Sequence, residues 1–114
     1  MDEARLPAHL EVSALIRETQ AAGGFAMVLH KGDREAGTIL VVLTEKGANS
    51  RVYERMPQPD GTRAWHCSRH EDSHNPRDFA EYLGRRRDQD GDVWIVELDI
   101  AHGERFIGLP HHKG

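Results

Sequence analysis

Glu54 and His66 are the two side chains of this 114-residue sequence whose types and spacing best suit acid–base chemistry. They lie in two runs of alternating residues on either side of a Pro-Asp-Gly segment at 59–61, which is typical of a short β-hairpin loop. If Gln58 faces Thr62 across that loop, Glu54 faces His66. A carboxylate makes a neighbouring imidazole more basic. The pair therefore predicts either the general-base dyad of a small hydrolase or an ordinary cross-strand contact of about 0.2–1 kcal/mol.

The opposite face of the same hairpin combines aromatic and cationic side chains. The same register predicts two pairs on this face, Arg55 with Trp65 and Tyr53 with Cys67. It predicts two further pairs on the Glu54 face, Met56 with Ala64 and Val52 with Ser68. The candidate ligand-binding residues are Arg51, Tyr53, Arg55, Arg63 and Trp65, with Arg69 nearby. Such a face is able to stack on single-stranded nucleic acid and contact phosphates. A purely structural alternative is that Arg55 lies over Trp65 in a cation–π contact.

Three histidines recur at a spacing of four residues and are the weak candidates for a metal site: His66, His70 and His74. On a helix they would share one side, but the segment begins as a predicted strand, and no second close pair of ligands supports zinc. We expect a solvated, histidine-rich loop. The sequence predicts no cofactor, and it lacks a phosphate-binding loop, because Gly23-Gly24 precedes a strand and not a helix.

Composition restricts the class of protein. The length fits one domain, 1–114, with an ordered core of about 5–107 and a flexible tail at 110–114. The formal net charge of −4 disfavours general nucleic-acid binding. The single cysteine excludes an internal disulfide framework. No secretory signal or bilayer-spanning run is visible, so we expect a cytoplasmic protein without membrane contact.

Periodicity predicts an α+β fold with two main helices. Residues 5–22 carry an apolar stripe at Val12, Leu15, Ile16 and Thr19, and a Gly-Gly pair follows. The second helix begins at Asn75-Pro76, a preferred start, and carries Arg85–Arg87 towards its end.

The predicted strands are 25–31, 38–44, the two arms of the hairpin, and 93–100. Four consecutive strands with short connections predict an antiparallel β-meander, to which the fifth strand adds. Residues 39–43 are apolar on both sides, which is typical of a strand inside a covered sheet. Residues 104–109 fit either a short strand or a helical turn.

Several ordered blocks resemble one family: RLPAHLEVSALIR, the segment around FAMVLHKGD, YERMPQPDGTRAW, and EYLGRRRDQDGDVWIVELD. Over about residues 5–107 the chain is similar to the alphaproteobacterial proteins grouped as domain of unknown function 1491. The resemblance implies a small bacterial protein and supplies no active site. From the residues, we predict a non-enzymatic interaction module that binds a protein partner or forms a homodimer. Nucleic-acid or anionic-ligand binding is the second hypothesis, and the Glu54–His66 hydrolase is the third.

Overall fold

A computed structural model describes residues 6–109, which form five strands, two helices and a short 3-10 helix. In chain order the elements are α1 (Ala8–Ala21), β1 (Phe25–His30), β2 (Ile39–Glu45), β3 (Ala48–Pro57), β4 (Arg63–His70), α2 (Pro76–Gln89), β5 (Trp94–Asp99) and the 3-10 helix (Gly103–Ile107). This confirms the α+β class. The undecided segment 104–109 is mostly 3-10 helix. The tail predicted to be flexible, 110–114, lies outside the described residues.

Both helices begin where the sequence indicates. Helix α1 starts directly after Pro7, and its predicted stripe is buried at Val12, Leu15 and Thr19. Helix α2 starts at Pro76, whose missing N–H costs nothing in a first helical turn. Asn75 is the N-cap as predicted, but its side chain makes no capping hydrogen bond.

The strand order across the sheet is β1-β5-β2-β3-β4. Strands β2, β3 and β4 form an antiparallel meander, but the prediction that β1 is its first strand is wrong, because β5 separates β1 from β2 and runs parallel to β2. Strand β2, which is apolar on both sides, and β5, whose Trp94, Val96 and Leu98 are buried on one face, thereby lie inside the sheet, with β2 at its centre. The more exposed β1 is displaced to an edge.

Each face of the sheet is covered by one helix. Helix α1 and the 3-10 helix pack on one face, where Val12 and Ile107 meet Val41 and Val96. Helix α2 covers part of the other face through Phe79, which packs with a cluster consisting of Leu40, Val42, Val52, Val93 and Ile95. We call these the α1 face and the α2 face.

The hairpin closes as predicted. The Gln58 amide donates to the Thr62 carbonyl at 2.8 Å. Glu54 lies opposite His66, and three other predicted pairs form: Met56 with Ala64, Arg55 with Trp65, and Tyr53 with Cys67.

The predicted pair of Val52 with Ser68 is wrong. The register shifts there, and Val52 lies opposite Arg69. The extra residue directs Arg69 to the α2 face, where its guanidinium meets Asp78 at 2.8 Å.

Candidate interaction surface

Arg51 belongs to a buried polar network and is not a free surface cation. The residue is 4% exposed, and its guanidinium donates from Nε and Nη2 to both carboxylate oxygens of Glu104, at 2.9 Å each. The Tyr53 hydroxyl donates to the same carboxylate at 2.9 Å, and Glu45 lies 3.5 Å from the guanidinium. These bonds attach the 3-10 helix to β3.

The network shifts the pKa values of its members. The Arg51 hydrogen bonds outweigh burial and lower the pKa of Glu104 to about 2. Burial and the hydrogen bond to Glu104 raise the pKa of Tyr53 to about 12. Both shifts favour the native protonation states at neutral pH, so the network acts as a structural clamp.

The other two arginines among the candidate ligand-binding residues, Arg55 and Arg63, also contact protein groups. Arg55 pairs with Glu11 of α1 at 2.8 Å, and its guanidinium lies 4.8 Å from the Trp65 ring centroid, which is the predicted cation–π contact. Trp65 itself is half-buried and packs against the α1-face core. Arg63, at the hairpin end, donates to the Arg55 carbonyl at 3.4 Å. The guanidinium groups of Arg51, Arg55 and Arg63 therefore contact other groups of the protein.

Glu54 and His66 are neighbours across the strands but have different side-chain partners. Arg86 of α2 donates to both Glu54 oxygens, at 2.5 and 3.2 Å, and the Ser68 hydroxyl donates to one of them at 2.8 Å. The Arg86 hydrogen bond lowers the pKa of Glu54. His66 instead contacts the Gln58 amide through Nε2 at 3.1 Å. Glu54 thus connects β3 to α2.

We expect Glu54→Ala to lower the free energy of unfolding by about 1–3 kcal/mol, because it leaves the half-buried Arg86 guanidinium without its carboxylate. His66→Ala should change it by no more than about 0.5 kcal/mol, since that side chain is exposed. Urea denaturation of the two variants measures the difference. If His66→Ala cost as much stability as Glu54→Ala, the pair would be a structural unit, and the separate side-chain partners of Glu54 and His66 would not explain the effect.

The histidine-rich segment spans two kinds of structure. His66 and His70 lie on β4, and His74 lies in the following loop, where its amide donates to Asp72. Within residues 6–109, no group of three His, Cys, Asp or Glu side chains converges as metal ligands. Cys67 is exposed overall, yet partial burial of its sulfur raises the pKa of the thiol.

Strand β1 presents an apolar surface that the sequence analysis assigned to a strand but not to a site. Four of its side chains are unusually exposed: Phe25 at 76%, Met27 at 58%, Leu29 at 42% and Val28 at 39%. No strand within residues 6–109 pairs with its outer edge. The signal was present as five consecutive uncharged apolar residues, 25–29, but the sequence did not reveal which strand would lie at an edge.

The apolar side chains of β1 lie on both faces of the sheet. Met27 pairs with Glu97, and Glu97 pairs with Val42, which places Met27 on the α2 face beyond the cover of the helix. Val28 pairs with Val96 of the α1-face core. We call the residues 25–29 the β1 edge.

Two carboxylates border the β1 edge on the α2 face. Phe25 and Met27 line a shallow groove with Gln20, Glu97 and Asp99. Burial, and then the charge of Asp99, raise the pKa of Glu97. The groove is therefore apolar at the strand and acidic at its inner border.

These features define a small α+β protein with covered central strands, carboxylate-paired arginines and one bare apolar sheet edge. A family model described as a protein of unknown function (DUF1491) matches residues 6–108, and the chain belongs to this family. The resemblance read from the sequence blocks is thus confirmed. No curated protein sequence matches the chain. Within residues 6–109, no helix is long and apolar enough to cross a membrane.

Solved structures of the same family show the same fold. A crystal structure of a DUF1491 family protein from Caulobacter crescentus is 31% identical, with a TM-score of 0.76, and the match covers 93% of this chain and 98% of that chain. An NMR structure of a DUF1491 family protein from the same organism is 29% identical, with a TM-score of 0.77 and coverage of 97% and 100%. The solution structure of protein Atu0922 from A. tumefaciens is 29% identical, with a TM-score of 0.75 and coverage of 96% and 98%.

Proposed function

We propose that this protein is a cytoplasmic, non-enzymatic interaction module that binds a protein partner through the β1 edge. The observation that carries the proposal is the exposure of four apolar side chains along a strand whose outer edge has no partner strand within residues 6–109. Edge strands are open to pairing with another chain, and proteins usually protect them with charge, proline or cover. The β1 edge has neither charge nor proline.

The opposite edge of the sheet differs in composition. Strand β4 carries the cations Arg63 and Arg69, whereas the β1 edge carries no charge, although both edge strands contain a register shift. Cationic side chains discourage edge pairing. The contrast between the two edges supports β1 as the surface that a partner covers.

The geometry of the other candidate sites gives them less support. The Glu54 carboxylate is held by Arg86 and Ser68, so His66 lacks the carboxylate contact of a general-base dyad. Arg51 and Arg55 of the aromatic face meet Glu104 and Glu11, which neutralise the charge that phosphates would need. Nucleic-acid binding and hydrolysis stay predictions of lower rank.

Site-specific photo-crosslinking in cells tests the proposal. A benzophenone amino acid replaces Phe25, which is itself aromatic and 76% exposed. The matched control places it at Met56, which is also an exposed apolar residue on a strand, 43% exposed and three strands away. We expect a discrete protein adduct from position 25 and none from position 56. The reason is that only the β1 edge lies within covalent reach of a bound partner.

Intact-mass analysis then separates a partner of the same mass from a different protein. Equal adducts at positions 25 and 56, or no adduct at either, would contradict the proposal. Both variants should keep the thermal midpoint of the unmodified protein, because both positions are exposed.

A further inference from the structure

We propose that the segment bound at the β1 edge belongs to a different protein and carries a lysine or arginine that meets Glu97. The aliphatic stem of that side chain lies over Met27, and its cation lies beside the carboxylates of Glu97 and Asp99. The inference rests on the proposed function and adds to it the chemistry of the partner and the position of its charged group.

Glu97 is a carboxylate without a partner inside the chain. The other half-buried carboxylates of residues 6–109 each accept a hydrogen bond or meet an arginine: Glu11, Glu45, Glu54, Glu71, Asp78, Asp99 and Glu104. Within the same residues Glu97 does neither, and burial together with the charge of Asp99 raises the pKa of Glu97. Partial burial of a carboxylate without a donor costs free energy. A cation supplied by a partner would remove that cost.

The apolar side chains beside Glu97 are an independent sign of a partner. Met27 lies opposite Glu97, and Phe25 lies opposite Asp99. Exposed apolar groups of β1 therefore adjoin carboxylates of β5 in one groove. A purely apolar segment would cover Glu97 and leave it unpaired. Lysine and arginine combine a long apolar stem with a cation, so they match both parts of the groove.

The geometry of a sheet lets a basic side chain reach Glu97 from an added strand. Neighbouring strands lie about 4.8 Å apart, so a strand added outside β1 lies about 10 Å from β5. A lysine or arginine beside Met27 is long enough to cross this gap along the Met27 side chain. Its two neighbours in the partner strand point to the other face, where Val28 is 39% exposed. The partner should therefore carry an apolar residue on each side of the basic one.

Charge favours this partner over a second copy of the chain. Residues 25–29 carry no charge, so a second β1 edge could not supply the cation. The formal net charge of −4 also attracts a basic segment and repels a second copy.

Selection from a random ten-residue peptide library on the immobilised full-length protein is the first test. We expect the recovered peptides to be enriched in a lysine or arginine with an apolar residue on each side. The same selection on Glu97→Gln should lose this enrichment. The matched control, Glu81→Gln, removes the same charge from an exposed position on α2 and should keep the enrichment.

Fluorescence anisotropy of one recovered peptide then measures whether its basic residue meets Glu97. Replacing that residue by norleucine should weaken binding about 30-fold, and Glu97→Gln should weaken it by a similar factor. The two changes together should cost little more than either alone, because both remove the same contact. Glu97→Gln should keep or raise the thermal midpoint of the free protein, since this carboxylate has no donor to lose.

The outcomes separate the two proposals. The inference is overturned by recovered peptides without a basic residue, by no recovered peptide, by binding that Glu97→Gln leaves unchanged, or by losses from the two changes that simply add. A crosslinked adduct from position 25 with twice the chain mass of 12.9 kDa is a second copy and also overturns it. In each case an adduct from position 25, with none from position 56, leaves the proposed function standing. Without an adduct from position 25, both proposals fail.

Discussion

Glu104→Ala is expected to lower the free energy of unfolding at pH 7 by about 3 kcal/mol, one of the two largest losses that we predict for this protein. The substitution leaves the buried Arg51 guanidinium without its bidentate carboxylate, and breaking one side of a buried ion pair typically costs about 3–5 kcal/mol. We take the lower end because Glu45, at 3.5 Å, and the Asn49 carbonyl, at 3.0 Å, still contact the guanidinium. Urea denaturation measures the loss.

Glu11→Ala is the matched control. It removes a carboxylate from an equally short pair with Arg55, but both of those side chains are about a quarter exposed. Exposed pairs contribute about 0.2–1 kcal/mol, so the control should cost no more than about 1 kcal/mol. Equal losses in the free energy of unfolding for Glu104→Ala and Glu11→Ala would show that the burial of Arg51 does not explain the cost of removing Glu104.

The Glu104 effect should depend on pH with a definite sign. The pKa of Glu104 falls from 4.5 to about 2 in the folded protein. A carboxyl group whose pKa is lowered by folding stabilises the native state above its unfolded pKa and loses that contribution as the pH falls through the folded value. The difference between wild type and Glu104→Ala should therefore be constant above about pH 5 and shrink towards pH 2. A difference that does not vary over this range would contradict the ion-pair explanation.

Gly32→Ala is expected to destabilise the protein by about 3 kcal/mol. A Cβ at this position would meet the Asp92 carbonyl oxygen and would lie 2.7 Å from the Val93 carbonyl carbon. Both obstacles are backbone, so a rotamer change cannot relieve the clash, and overpacking of this kind costs about 1–3 kcal/mol or more. The segment after β1 must therefore move away from the start of β5.

That movement would also break hydrogen bonds that connect the segment after β1 to β5. The Asp33 amide donates to the Asp92 carbonyl at 3.0 Å, and the Trp94 indole donates to the Asp33 carbonyl at 2.7 Å. We expect hydrogen exchange in β1 of the variant to accelerate more than exchange in β3, because β1 has only β5 as a neighbour among the described strands.

Gly84→Ala is the same substitution at another glycine, but we expect it to stabilise the protein. Gly84 lies inside α2, where an added Cβ would come no closer than 3.8 Å to the Arg87 guanidinium. Alanine is favoured over glycine in helices by about 1 kcal/mol, so this variant should gain stability by up to that amount. A Gly32→Ala variant as stable as the wild type would mean that the fold does not need the segment after β1 to lie this close to the start of β5.

Local patterns predicted most of the elements. The apolar spacing of α1, the Asn75-Pro76 start of α2 and the Pro-Asp-Gly loop of the hairpin each act through neighbours a few residues apart, so the chain specifies them directly. The pairing of Glu54 with His66 followed from counting residues across that loop, and the structure confirms it. The family blocks were likewise readable in order along the chain.

Side-chain partners at the candidate site could not be predicted in the same way. Counting across the hairpin places His66 beside Glu54. Arg86, however, is 32 residues from Glu54 along the chain, and it reaches the Glu54 carboxylate only because α2 packs on the α2 face of the sheet. Likewise, Glu104 lies 53 residues from Arg51. A charged pair at such separation has no periodic signature, so the arginines appeared free in the sequence and are paired in the fold.

The sequence by itself determined the α+β class, the positions of the helices and strands, the register near the hairpin loop and the family. The tertiary structure decided the position of β5 between β1 and β2, the burial of Arg51 and the exposure of the β1 edge. The physical reason is the range of the interactions. Turns, caps and periodicity depend on adjacent residues, whereas strand order depends on which apolar surfaces bury each other best over the whole chain. Strand β2 is apolar on both faces, and β5 buries all four of its apolar side chains, so these two strands took inner positions, which left β1 at the edge with its apolar side chains exposed.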